Sequence, residues 1–458
     1  MESTGTAAGA AAERPGISQR IERLPMTSYQ RIIGIIIVVA WFFDAVDLGT
    51  MTFLLPSIMK EFGLDNVRAG LLGSMSFVGM FFGTMSAGFL SDKLGRKTIL
   101  QWSMIVWGIA GLLTACSWNI TSLFVFRFIL GLGLGAELPV GTSMLPEFLP
   151  KGSRGRYVAV MEGLLPVGII TAGVLAYFIV PSVGWRFVFV AEALPALWLL
   201  VIRRKIPESP RWLEAVGLTD EADKVMTAME KEVEKRSGKP LPPITGTGSV
   251  EKGKAKISGF AQLWSGGYYK RTIMLWILWP AGLFGFYGLT TWFGSLLMAK
   301  GFSMTKSIGF IIMITSGGIP GFILATYLID KIGRKLVVIF GLIMTAVSAY
   351  FYGQAVSYNV LFFCGCMLNF FQYAMWSAIY AYTPELYPTH IRATGAGMAS
   401  SVGRIGAILG PYAMGAMMGA YGSGSVFTLA GSLFGFAALV TLLLGPETKG
   451  KTLEDINK

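Results

Sequence analysis

Long apolar stretches separated by short polar gaps run through most of the 458-residue chain. Stretches of roughly 18 to 25 residues, the length a tilted helix needs to cross a bilayer, lie near 30–55, 67–90, 98–117, 120–145, 155–180 and 186–203. Six more follow near 272–297, 304–328, 336–355, 359–383, 394–419 and 425–444. Numbered in order, they are segments 1 to 12. A polar stretch at 204–271 divides them six and six. The pattern predicts an all-α membrane protein of twelve transmembrane helices in two six-helix bundles, 30–203 and 272–444, with polar tails at 1–29 and 445–458. In the linker, TDEADKVMTAMEKEVEKR predicts a charged surface helix and SGKPLPPITGTGSVEKGKAK a flexible tether. Residues 1–29 are rich in Ala and Gly and lack the apolar core and cleavage site of a secretory signal, so segment 1 is expected to stay as a membrane helix.

Composition agrees. Hydrophobic residues make up 53% and charged residues 14%, against about 25% charged in a soluble domain. Of the 38 Lys and Arg, five (Lys60, Arg68, Arg186, Lys300, Lys306) fall on one side of the pattern, two (Arg127, Arg404) fall inside segments, and the rest lie on the side of both termini. The positive-inside rule therefore predicts both termini in the cytoplasm of a plasma (bacterial inner) membrane. Topology accounts for the net charge of +12 without a nucleic-acid partner. Cys116, Cys364 and Cys366 lie in apolar segments and read as small packing residues, with no disulfide framework or zinc spacing. No metal cluster, Ser/His/Asp set or phosphate loop is present, so neither an enzyme nor a cofactor is expected.

The halves repeat. SDKLGRK at 91–97 returns as IDKIGRK at 329–335, and PEFLPKGSR at 146–154 as PELYPTHIR at 384–392. The pairs Asp92/Asp330, Arg96/Arg334, Glu147/Glu385 and Arg154/Arg392 all stand 238 apart, which predicts two bundles of one design in parallel orientation. These eight charges sit where segments end on the cytoplasmic side. They can form ion pairs between helices that make in one state and break in another, or can simply hold helix ends.

These motifs, with FRFILGLGLGAELPV, PESPRWL and PETKGKTLEDI, resemble the major facilitator superfamily and its sugar-porter-like branch over about residues 30–455. The resemblance implies a secondary transporter, monomeric, whose halves rock about a central site and expose it to each side in turn. GLGLGAELPVG, TPELYPTHIRATGAG and VGRIGAILGP are similar to the bacterial niacin-transporter group, relatives of the synaptic vesicle glycoproteins and organic ion carriers. That likeness implies nicotinic acid uptake. The helix-1 aspartates also resemble those of aromatic acid:proton symporters.

Charge inside the segments is where chemistry is expected, because an ionisable group in hydrocarbon is costly. At about 1.5 Å per residue, Asp44 lies about 20 Å from the cytoplasmic face and Arg127 about 10 Å below the outer face of a layer roughly 30 Å thick, so they meet at one depth. Asp47 sits one turn beyond Asp44. Two carboxyls so close repel, so one can carry a transported proton while Arg127 competes as counter-ion; a static structural pair is the other reading. Proton symporters of the resembled branch face a helix-1 acid with a helix-4 arginine, which here resembles Asp44 with Arg127. Glu137 and Glu162, about a third of the way in, are read either as a second proton station or as gate acids, and Glu192 as structural.

Arg404 is the one base deep in the second half, placed to meet an anionic substrate or a backbone carbonyl or gate acid. Segment 7 offers Trp279, Phe284 and Tyr287; in segment 10, Asn369, Tyr373, Trp376 and Tyr380 fall on one helical face, readable as packing or as a pocket wall. Segment 7 lacks the amides that sugar transporters use on hydroxyls. Rings with few amides and one cation predict a small aromatic or heteroaromatic acid, moved with a proton. A receptor that binds without transport and an uncoupled facilitator are the alternatives. GLGLG at 131–135 sits mid-helix and reads as close packing. His390 reads as a solvated loop residue, and the Asn119 sequon carries no weight.

Overall fold

The computed structural model describes residues 16–244, 259–388 and 391–449. All of its regular structure is helical among those residues. The first half comprises α1 (Ile17–Glu22), α2 (Ser28–Phe62), α3 (Asn66–Leu94), α4 (Arg96–Ala115), α5 (Ile120–Phe148), α6 (Lys151–Gly163), α7 (Leu165–Val183), α8 (Arg186–Ala193) and α9 (Leu199–Lys205). The linker contributes α10 (Pro210–Ala215), α11 (Thr219–Ser237) and α12 (Gly259–Leu263). The second half comprises α13 (Tyr268–Ala299), α14 (Met304–Ser316), α15 (Gly318–Ile332), α16 (Arg334–Gln354), α17 (Tyr358–Glu385), α18 (Arg392–Tyr421) and α19 (Ser423–Leu444).

Ten helical stretches are long and apolar enough to cross a membrane. Two further rods stand where segments 6 and 11 were expected. Segment 6 is α8 and α9 joined by a 3-10 stretch, Leu194–Trp198, opening at Pro195, which has no N–H to give an α-helix. Segment 11 is α18, whose glycines and Arg404 lower its apolarity. Segments 5 and 8 are also jointed, α6 to α7 at Leu164 ahead of Pro166, and α14 to α15 at Gly317. Helix starts carry ordinary caps: Asp65 accepts the Arg68 amide at 2.7 Å, and Asn119 accepts that of Ser122 at 2.8 Å.

Small residues set the packing, since lipid supplies no hydrophobic drive for helices to associate and close backbone approach must do so. A methyl on Gly79 or Gly83 of α3 would strike the α5 carbonyls of Phe128 or Leu132. At the repeat spacing, Gly317 and Gly321 stand against the carbonyls of Cys366 and Phe370. The internal repeat thus extends to the atoms at which its helices touch. Cys116, expected inside, is instead exposed at the end of α4.

Between the halves, described packing concentrates at the end remote from the linker. There Gly70 abuts Pro411, Gly294 abuts Thr52 and Pro56, and Gly415 abuts Asn66. The Ser74 hydroxyl donates to the Ile408 carbonyl across the interface at 2.6 Å, and within the second half the Trp292 indole fixes the Pro411 carbonyl at 2.8 Å. At the linker end, α1 lies on α11. Arg20 pairs with Asp223 and with Glu230, the latter at 2.7 Å, and Arg23 pairs with Glu230 at 2.7 Å. The charged surface helix of the linker is therefore present as α11, while residues 245–258 of the tether, and His390, lie outside the described residues.

Candidate functional site

Two polar clusters lie inside the bundle. The first is wholly in the N-terminal half, where α2, α5 and α8 bring Asp44, Asp47, Arg127 and Glu192 together with Glu137; all five are at most 7% exposed. Arg127 Nη1 donates to Asp47 Oδ1 at 3.4 Å, and its guanidinium lies 5.4 Å from the Phe189 ring. The expected pairing of Arg127 with Asp44 is thus corrected to Asp47. Counting residues fixes depth only to about one turn, and Asp44 and Asp47 are one turn apart. Asp44 lies within electrostatic range of Glu137 and Asp47, and neither of its oxygens has a hydrogen-bond partner among the described residues. Glu137 accepts the Trp107 indole N–H at 3.1 Å. Glu192, read from sequence as structural, belongs to the same cluster: the Thr50 hydroxyl donates to it, and Asp47 and Arg127 lie within its field. Its signal is an acid at the seventh position of an apolar segment, at the depth of Arg127.

The second cluster bridges the halves. Glu162 on α6 lies in the field of the Tyr380 side chain on α17 and of Arg404 on α18; Tyr287 on α13 lies in the field of both charges. From the other half, α3 contributes Phe77, whose ring centre is 4.4 Å from that of Tyr287, and Met80, whose sulfur lies 4.0 Å from Arg404 Nη1. Glu162 therefore meets Arg404 across the interface, and not Glu137.

The remaining ring candidates separate. Tyr380 is 37% exposed, but Trp376, Tyr373 and Asn369 are nearly or fully buried. The latter three form the wall behind Tyr380: Trp376 packs on Trp279 at 5.5 Å and Tyr373 on Phe286 at 5.5 Å, while Asn369 donates to the Gly365 carbonyl at 2.9 Å. Trp279 donates to Thr383 at 3.0 Å, and the Phe284 carbonyl faces Gly410 of α18. Gln372 went unnoticed in the sequence. It is an amide in an apolar helix, fully buried, with neither side-chain polar atom partnered.

Among the described residues, the ion pairs of the linker-end charges are made within each half. Arg96 pairs with Glu147, and Arg334 pairs with Glu385 at 3.1 Å and Asp330 at 3.0 Å. Arg154 and Arg392 reach backbone carbonyls, of Leu149 at 2.9 Å and Tyr387 at 3.4 Å, and the Asp92 carbonyl accepts from Trp212 at 2.8 Å. Glu208 accepts the amides of Arg96 and Lys97 at 3.1 and 3.0 Å, where an N-terminal helix end favours an anion. Glu447 lies against Gly333 in the same way. Both loop glycines have positive φ, Gly95 at 96° and Gly333 at 104°, which an L side chain rarely adopts.

Comparison with known proteins decides the family. The family model described as sugar (and other) transporter matches residues 28–458. The chain belongs to that family, within the major facilitator superfamily. This facilitator is 37% identical over 441 residues to the niacin transporter NiaP of Acinetobacter baylyi, covering 95% of this chain and 98% of that protein. It is 32% identical to the putative niacin/nicotinamide transporter NiaP of Bacillus subtilis (93% and 98% covered) and 30% identical to the 4-hydroxybenzoate transporter PcaK of Pseudomonas putida (93% and 92%). In fold it superposes on the xylose transporter XylE of E. coli in its inward open conformation, with a TM-score of 0.74 over 93% of this chain and 99% of that one at 19% identity. The facilitator is accordingly a multi-pass membrane transporter and not an enzyme.

Proposed function

We propose that this facilitator couples proton entry to uptake of a small aromatic or heteroaromatic carboxylate, nicotinic acid in the first instance. It would work by alternating access in a bacterial inner membrane, as a monomer with both termini cytoplasmic. The observation that carries the reading is Arg404, a lone intramembrane cation of the second half, held at the interface between Glu162 and the rings of Tyr380 and Tyr287. A substrate carboxylate matches the guanidinium, and a flat ring matches the aromatic walls. Glu162 is the carboxylate in the field of Arg404 from the other half, so a bound substrate carboxylate competes with it and weakens one attraction between the halves. Relatives named for niacin and 4-hydroxybenzoate are carriers of ring carboxylates, which favours this class over sugars.

Coupling falls to the first cluster. One guanidinium offsets one of the four buried carboxylates, so the other three tolerate hydrocarbon only while they carry a proton, which makes them candidate carriers of the transported one. Asp44, with both oxygens unpartnered among the described residues, is the exchange site, Asp47 and Arg127 the counter-charge, and Glu137 and Glu192 the flanking stations. Purified protein in liposomes tests this. An imposed gradient, acid outside, should drive labelled nicotinate to accumulate. Equal uptake with and without the gradient defeats coupling, and absence of counterflow defeats transport of this substrate.

A further inference from the structure

The jointed rods of segments 5 and 8 leave a feature that transport does not use. On the far side of their joints, α7 and α14 pack closely, with Gly173 against Ile312. On the linker side, α6 and α15 part, and a groove of about 760 Å³ opens between them. Its floor lies at the joints, where Gly163 meets the Phe322 ring. Its walls are apolar, with Val160, Leu164, Ile319 and Ile323 among them, and Ile323 is 64% exposed on the lateral face. From Arg156 to Leu164, or from Lys331 to Ile319, the groove runs about 12 to 18 Å at 1.5 Å per residue. That is about one leaflet of a hydrocarbon layer roughly 30 Å thick.

Two cations and one acid close the linker end. The acid, Asp330, is compensated by Arg334 at 3.0 Å. Lys331 lies over the Tyr327 ring at 4.3 Å, and Arg156 is exposed, so both keep their charge facing the surface. We propose that this seam seats one anionic phospholipid of the linker-side leaflet, its phosphate on Arg156 and Lys331 and an acyl chain in the groove. An apolar slot one leaflet deep beneath paired cations has the shape and charge of that ligand. Because α6 and α15 belong to different halves, the seated chain wedges them apart and favours the state open at the linker end.

Native mass spectrometry of the purified full chain, equilibrated with equal phosphatidylglycerol and phosphatidylcholine, reads this directly. One phosphatidylglycerol should be retained in preference. Each cation near the surface contributes about fivefold, so Arg156→Gln/Lys331→Gln should weaken retention about thirtyfold and Arg156→Gln alone about fivefold. Lys224→Gln, on linker helix α11, should change nothing. Ile323→Trp keeps both cations and fills the slot, and should also abolish retention. Equal retention of the two lipids, or wild-type phosphatidylglycerol retention by the double variant or by Ile323→Trp, overturns the proposal. Should the double variant fail to fold, Arg156→Gln and Ile323→Trp decide.

Discussion

Replacing Glu162 with glutamine separates binding from movement. Glu162 lies in the field of Arg404 across the interface, so it competes for the guanidinium that a substrate carboxylate must take over. A half-exposed charge pair contributes about 0.2–1 kcal/mol. The amide keeps the shape and a weaker acceptor but loses the charge, so substrate no longer competes for Arg404. Nicotinate should then bind about 1.5- to 5-fold more tightly by that interaction alone. The upper end requires a dry site, and the partial exposure of Tyr380 points to the lower half of the range. Transport should fall, because tight binding without the competing acid leaves nothing to eject substrate or re-form the tie between halves. Equilibrium binding of labelled nicotinate to detergent-solubilised protein gives the first number, and initial uptake rates into liposomes give the second. Unchanged or weaker binding in Glu162→Gln refutes the competition, whatever happens to uptake. The double variant Glu162→Gln/Arg404→Gln should show no gain at all, since the competition needs both charges.

Asp44→Asn should abolish gradient-driven accumulation while leaving counterflow; wild-type accumulation with the wild-type pH profile would remove Asp44 from coupling. Arg127→Gln breaks a buried pair and should cost about 3–5 kcal/mol, read as a loss of thermal stability that Asp47→Asn partly restores in the double variant. Burial alone would raise the Glu230 carboxyl, but Arg20 and Arg23 outweigh it and hold it below the usual range. Its contribution is therefore present above the unfolded value of about 4.3 and lost as pH falls through the lower folded value. Hydrogen exchange of residues 17–24, corrected for intrinsic rate, should accelerate only in that acid window, and acceleration near pH 7 would contradict the assignment.

Much of this was legible beforehand. Apolar run length located the rods, and the 238-residue identities announced two like bundles, because both signals depend on local sequence alone. What escaped was rotation about each helix axis. Asp44 and Asp47 differ by one turn and some 60° of azimuth, which residue counting cannot see, so Arg127 was given the wrong partner. The same blindness set Tyr373 and Trp376 beside Tyr380 as equals, although they lie against α13 and only Tyr380 is open. Glu192 lies about 9 Å into α8, level with Arg127, but depth alone does not say which neighbour a side chain faces, so its place in the cluster was not legible.

The atomic match between the halves has an evolutionary reading. The glycine contacts of α3 with α5 recur in α15 with α17, and the arginine–glutamate ties at the linker end recur as well. A half-length ancestor carrying them once would already have been a self-sufficient body, able to pair with a twin. The residues proposed for function show no such doubling. At the same spacing Asp44, Asp47 and Arg127 answer to Gly282, Gly285 and Gly365, Glu162 to Ser400, and Arg404 to Pro166. What the halves share is scaffold, and each residue proposed for binding or coupling stands in one half alone.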